Sequence, residues 1–283
     1  MSVGAGERIR VISELDPGDG AFDVTDDRVM AALREAEDRH FWHRTRNEWI
    51  AERLRNVGVS KGARIIELGC GGGCVTAHLS RCGYEVVGVE GQRGLVELAA
   101  SRASEARFWL HDLRRGVGEL PERGFDVAGL FDVIEHIERP REVLESACTL
   151  VREGGMVVGT VPALRALWSR IDEQSGHKTR YEVETLREVL RGVSGAEVVE
   201  VVPFNRALVP LLWVQRKLVT RQDRSGSARA NLEVPRAPVN ELMAGVLRAE
   251  RRLSRWLDTP RVQGSSLWFA IRVVPRGGVE PPT

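Results

Sequence analysis

From Val29 to Val57 apolar positions return at three- and four-residue steps, Trp42, Trp49, Ile50 and Leu54 among them, which predicts a helix. The period then changes. ARIIELG (63–69), EVVGVE (85–90), ARFWLHD (106–112), FDVAGLF (125–131), MVVGTVP (156–162), AEVVEVVPF (196–204) and SSLWFAIRVV (265–274) are short apolar runs that read as strands. Between them CVTAHLSRC (74–82), LVELAASRASE (95–105), PREVLESACTLV (140–151) and YEVETLREVLRGV (181–193) read as helices. Alternation of this kind predicts an α/β domain over 29–275, with a mostly parallel sheet and helices on both faces. Right-handed crossovers then gather the loops that follow the strands along one edge.

Residues 205–264 break the alternation with two helical patterns, around 205–221 and 238–258, joined by the polar TRQDRSGSARAN. They read as a helical insertion before the last strand. Residues 1–28 are polar, with DPGDG (16–20) as a turn signal, and are expected to be flexible. The Gly/Pro-rich tail at 276–283 is expected to be disordered.

Composition changes this picture little, and charge somewhat more. With 42% hydrophobic and 29% charged residues the 283-residue chain can bury a sizeable core, and its formal net charge of +1 favours no polyanionic partner. Yet residues 206–261 hold twelve Lys/Arg against five Asp/Glu, a local +7, while the remainder holds 29 against 35, or −6. That segment either meets something anionic or presents a solvated Arg-rich helical face. Cys70, Cys74, Cys82 and Cys148 form no C-x-x-C pair and suit a reduced, cytoplasmic chain. MSVGAGERIR lacks the apolar core of a signal peptide. ALVPLLWV (207–214) is interrupted by Pro210 and far short of the roughly 20 residues a span needs, so at most a peripheral membrane contact through 205–221 is expected.

The chemistry concentrates at RIIELGCGGGC (64–74), where a strand runs into Gly69, Gly71, Gly72 and Gly73 just before a helix. Bare glycines let a ligand approach the backbone, and a helix start offers unpaired N–H groups. Glu90, about twenty residues on, ends the next strand where a carboxylate can accept from both hydroxyls of a ribose; Gln92 follows it. Either a nicotinamide dinucleotide or S-adenosylmethionine fits so far. Cys74 stands where a dinucleotide loop wants Gly or Ala, and Glu67 would repel a pyrophosphate but suits an ammonium and sulfonium. A polar residue of HDL (111–113) can meet an adenine amino group. Neither Tyr84 nor Tyr181 is followed by Lys at four, as a Tyr-x-x-x-Lys oxidoreductase would require.

At this point the chain resembles the class I S-adenosylmethionine-dependent methyltransferases, in its small-molecule subgroup. IIELGCGGG (65–73), VVGVE (86–90), HDL (111–113), FDVAGLFDVIEHIERP (125–140) and LVREGGMVVGTVP (150–162) carry the resemblance over about the middle half of the chain. It implies a Rossmann-like sheet of seven strands, the last antiparallel. It also implies S-adenosylmethionine as cofactor, with Glu67, Gly69 and Gly71 at its methionine end, Glu90 at the ribose, Asp112 and Leu113 at the adenine, and Phe131 and Asp132 flanking it. Asp112 is equally placed to cap the turn that follows it, and Phe131 to join the core.

RHFWHRTRN (39–47) offers an aromatic face for a cationic sulfonium in Trp42 and a partner for the methionine carboxylate in Arg46, so 29–57 is expected to act as a lid. The other reading is that Phe41 and Trp42 simply anchor the helix. Methyl transfer needs alignment above all, and a general base only for a hydroxyl acceptor. His136, in FDVIEHIE, and His177, in SGHKTRY, are the candidate catalytic groups, with Lys178 and Arg180 either meeting an acidic substrate or merely solvated. No metal is expected, because Asp132 and His136 lack a nearby third ligand. The strand-end sequence FDVIEH lacks the Pro-Pro-Tyr/Phe-like clamp of nucleobase and glutamine methyltransferases. The expected acceptor is therefore the O or N atom of a small biosynthetic or lipid-linked molecule, with no nucleic acid partner. A cap or homodimer contact is left for 205–264, and a non-catalytic binding scaffold is the alternative outside enzymes.

Overall fold

The computed structural model describes residues 8–16, 26–214, 233–254 and 263–275. Eight strands form one sheet: β1 (Ile9–Val11), β2 (Arg64–Leu68), β3 (Glu85–Glu90), β4 (Arg107–Leu110), β5 (Phe125–Phe131), β6 (Val151–Pro162), β7 (Ala196–Phe204) and β8 (Ser266–Val273). Their order is β1-β4-β3-β2-β5-β6-β8-β7, parallel except where β8 runs antiparallel between β6 and β7. The antiparallel last strand is as expected; the strand count is corrected from seven to eight. The additional strand is built from residues 9–11, inside the stretch expected to be flexible, and its register Ile9↔Phe108 to Val11↔Leu110 extends the edge beyond β4. The other expectations for 1–7, 17–25, most of the linker after residue 214 and the tail 276–283 lie outside the described residues.

Strand parity explains why helices cover both faces. Ile66 and Leu68 of β2 pack with Leu144 and Ala147 of α5 (Pro140–Cys148) and with Leu186 and Leu190 of α7 (Val183–Arg191). Ile65, one residue out of phase, packs instead with Trp49, Ile50 and Leu54 of α2 (Phe41–Asn56) and with Val75 and Leu79 of α3 (Cys74–Arg81). Ala99 and Ala100 of α4 (Arg93–Arg102) close the same side beside Phe108 and Leu110.

The single helix expected over 29–57 is two helices. α1 (Asp27–Arg39) ends at His40, whose extended backbone (φ −65°, ψ 132°) breaks the path, and whose Nδ1 accepts from the Trp42 N–H to start α2. A five-residue helix α6 (Arg170–Gln174), helical residues 208–214 (α8) and α9 (Ala237–Ser254) complete the set. The insertion docks on the N-terminal helices. Asn240 accepts from the Phe41 N–H and donates to the Arg39 carbonyl, both at 2.8 Å, bridging the α1–α2 break. Arg248 and Arg251 pair with Glu48, and Arg251 also with Glu52. Part of the local +7 thus meets something anionic within the chain itself, the acidic side of α2.

Candidate active site

The strand ends place the expected residues along one edge. After β2 the chain turns through Gly69 and Cys70, both of which donate to the Val89 carbonyl, and reaches α3 at Gly73 in the left-handed region (φ +76°). A Cβ on Gly73 would lie 2.5 Å from the Ala99 Cβ, so glycine is what allows α3 and α4 to touch. Gly71, at φ +53°, faces open space. Glu90 supports this loop directly: its Oε2 accepts from the Gly71 N–H (3.1 Å), and its Oε1 from Gly91 (2.8 Å) and Gln92 (3.0 Å). Burial raises its carboxyl, against the pull of those three N–H groups. Three of about four acceptor sites are occupied, so a diol would share Oε2 with Gly71. Gln92 is buried at the start of α4.

Glu67 lies on the α2/α3 face of β2 and is 2% exposed. It accepts from the Thr76 hydroxyl at 2.5 Å, and burial pushes its carboxyl up to about 8. A buried carboxylate in that condition fits a cationic ligand group, which would favour its ionised form. Above it α2 is fastened to the loop by Asn47, whose Nδ2 donates to the Cys74 Sγ (3.0 Å) and carbonyl (3.3 Å).

Arg46 reaches the end of β5. Its guanidinium pairs with Asp132 Oδ2 and sits 4.6 Å from the centroid of the Trp42 ring. Asp132 holds a left-handed backbone (φ 56°), with Oδ1 accepting from the Thr160 hydroxyl and its N–H bonded to the Thr160 carbonyl. Arg46, Trp42 and Asp132 therefore meet, with Arg46 joined to a carboxylate of the chain where one of a ligand was expected. Phe131 is buried in the core, its ring over Gly129, as the packing alternative has it. Asp112 caps the turn at 113–115 and binds the Arg114 guanidinium through both oxygens; burial raises its carboxyl, but Arg114 outweighs that and holds it below the ordinary value. Leu113 opens that turn, half-buried. Beside them the β1 segment contributes Ser13, whose hydroxyl bonds His111 Nδ1 (2.9 Å) and accepts from the Asp112 N–H.

The loop before α7 carries the second candidate histidine. His177 Nδ1 lies 3.0 Å from Asp172 Oδ1, and Asp172 is wholly buried. Asp172 also accepts from Arg180 Nε (2.8 Å) and from the Ser169 N–H (2.9 Å), while Arg180 donates to the Ala163 carbonyl. Arg180 is therefore a buried strut, which corrects its expected role toward an acidic substrate; Lys178 is exposed. The Lys178 N–H donates to the Glu135 carbonyl and brings this loop against the turn at 134–136, so that the His136 and His177 rings meet edge to face at 4.8 Å. Burial, and then the His177 charge, lower the His136 value. Asp172 was missed in the sequence. Its Ser-x-x-Asp spacing announces a helix cap, and nothing local announces a partner for His177.

The ground for setting a metal aside also changes. Glu135, His136 and His177 each bring one ligand atom within 4.8 Å of the others, and both Glu135 carboxylate oxygens are buried without a hydrogen-bond partner. Burial, reinforced by Asp132, keeps the Glu135 carboxyl well above its ordinary value. Folding thus gathers three potential donor groups that spacing did not suggest, with Glu135 and His177 beside His136 in place of Asp132.

Two kinds of known protein are similar to this chain. A ubiquinone biosynthesis O-methyltransferase from Azorhizobium caulinodans is 36% identical over 136 residues, 47% of this chain and 50% of that protein. A mitochondrial ubiquinone biosynthesis O-methyltransferase from Schizosaccharomyces pombe is 31% identical over 125 residues, 42% and 45% of the two chains. The chain thus spans about half the length of the curated relatives it matches. Among solved structures, phosphoethanolamine N-methyltransferase 2 from Haemonchus contortus, in complex with S-adenosyl-L-methionine, superposes with a TM-score of 0.56 at 14% identity, covering 88% of this chain and 58% of that one. A SAM-dependent methyltransferase from Archaeoglobus fulgidus does so at 0.50 and 20%, covering 80% and 94%. At those identities the likeness is one of fold. Residues 41–201, more than half of the chain and including the glycine loop, Glu90 and the β5 end, match the family model described as "Methyltransferase domain", and the chain belongs to that methyltransferase family.

Proposed function

We propose that the protein is an S-adenosylmethionine-dependent methyltransferase acting on a hydroxyl of a small molecule. The observation that carries the reading is the pairing of His177 with the buried Asp172 in a chain whose neighbouring strands β3, β2 and β5 bring Glu90, Glu67 and Asp132 to their carboxyl ends. S-adenosylmethionine, when bound, supplies a methyl group on a sulfonium. Glu67 and Glu90 would hold its charged and ribose ends, with Trp42 and Arg46 above. Asp172 accepts a hydrogen bond from the Nδ1–H of His177, which turns Nε2 toward the task of taking a hydroxyl proton. His136 packs edge-on against the His177 ring and limits its rotation.

The relatives' names support an oxygen acceptor, and family membership favours this cofactor over a nicotinamide. Four free cysteines support a reducing, cytoplasmic setting. No helix among the described residues is long and apolar enough to cross a membrane; the exposed Leu211 and Val214 support a peripheral contact of the insertion.

The test is transfer of a labelled methyl group from S-adenosylmethionine to small hydroxylated acceptors. His177→Ala should lower turnover by about 10²- to 10⁴-fold while leaving S-adenosylhomocysteine affinity within about threefold. Binding without any methylated product would establish the scaffold alternative instead, and equal losses in turnover and affinity would remove His177 from the acceptor side.

A further inference from the structure

The first N-terminal helix is held to the glycine loop by a side chain from the end of α4. Arg102 ends α4 and is nearly buried, its side chain 6% exposed. Its Nη1 donates to Glu37 Oε2 of α1 at 2.5 Å and to the Gly72 carbonyl at 2.6 Å, and its Nε lies 3.3 Å from Asp38 Oδ1. One guanidinium therefore joins a helix of the sheet layer, a helix of the N-terminal pair and the loop between β2 and α3. Gly72 makes the contact possible: a Cβ there would lie 2.7 Å from Glu37 Oε2 and 3.4 Å from Arg102 Nη1. The Cys74 Sγ adds a contact to the Glu37 carbonyl at 3.7 Å. The contacts to Glu37 and Asp38 are made only while α1 lies on the loop, whereas the Gly72 bond ties α4 to the loop itself.

We propose that Arg102 and Glu37 form a latch, a positioning pair that sets how long α1 and α2 stay closed over an adenosyl ligand in the glycine loop. This rests on the cofactor reading above. A buried, hydrogen-bonded ion pair suits the task because its rupture leaves an uncompensated charge, so closure behaves as an all-or-none state. Burial, opposed by Arg102, already holds the Glu37 carboxyl above its ordinary value. The latch also reaches the far side of the site, since α1 leads through His40 into α2, which carries Trp42, Arg46 and Asn47.

Two measurements on the full chain test the latch. In the ligand-free protein, amide exchange of residues 27–39 should speed up at least about tenfold in Arg102→Met, and by more than that of the central strands β2 and β5. For S-adenosylhomocysteine, stopped-flow dissociation should accelerate at least about tenfold in the same variant, with association changed less than about threefold. Arg102→Lys, which keeps the charge but not the fork, should recover part of both effects. Glu37→Gln preserves shape, removes the charge and carries the same expectation should Arg102→Met not fold. Unchanged exchange of 27–39 overturns the latch whatever the cofactor. Faster exchange with unaltered dissociation overturns its role toward the ligand. A wild-type chain that does not bind S-adenosylhomocysteine overturns the cofactor reading and the latch's role toward the ligand with it, while the exchange result still reports on the contact itself.

Discussion

Replacing Glu67 by Gln removes an ionisable group whose charged form the fold buries only at a cost. Glu67 is 2% exposed and bonded to Thr76, and burial moves its carboxyl from 4.5 to about 8. The folded chain therefore holds this proton more tightly than the unfolded chain does. Its contribution to stability is complete below pH 4.5 and is lost as pH rises toward 8. At about 1.36 kcal/mol per pH unit of differential protonation, the loss between pH 5 and pH 7 is on the order of 2 kcal/mol. Gln has the same shape, still accepts from Thr76 and does not titrate. Urea unfolding of both proteins at the two pH values isolates the effect, because Glu135, Glu37 and the other buried groups titrate in both. The variant should gain on the order of 2 kcal/mol relative to wild type between pH 5 and pH 7, while its affinity for a cationic adenosyl ligand falls. Parallel pH slopes for the two proteins would refute the assignment of a raised, buried carboxyl to this strand.

Three other variants probe the remaining pieces. Because Glu90 supports three backbone N–H groups, Glu90→Gln tests the ribose assignment more cleanly than removal to alanine. Calorimetry should show S-adenosylhomocysteine binding weakened about tenfold or more, beside an unfolding loss of about 1–3 kcal/mol from the N–H left facing the amide, and undiminished affinity would contradict the assignment. Gly73→Ala must place a Cβ 2.5 Å from Ala99 at a left-handed backbone position, and denaturant unfolding should register a loss of about 1–3 kcal/mol. Asn240→Ala leaves the Phe41 N–H and Arg39 carbonyl without their partner, and is expected to cost about 1–3 kcal/mol in the same assay; a loss near zero would mean that the insertion does not brace the α1–α2 break.

The sequence by itself determined the alternation of strands and helices, the glycine loop opening α3, the carboxylate at the end of β3 and, through the family resemblance, the antiparallel β8. These are legible because each follows from neighbours in the chain: a period of two or 3.6, a glycine where the backbone turns left-handed, a cap three residues from its partner. The tertiary structure decided what depends on residues far apart. It recruited Ile9–Val11 from a polar terminus to extend the edge beyond β4, and it set Arg248 against Glu48 across 200 positions of sequence. It also turned Arg46 toward Asp132, 86 positions away, and brought the His136 and His177 rings together. A charged side chain takes whichever partner the packed elements bring within about 3 Å in a poorly solvated place, and that choice is set by helix and strand placement, on which local periodicity is silent.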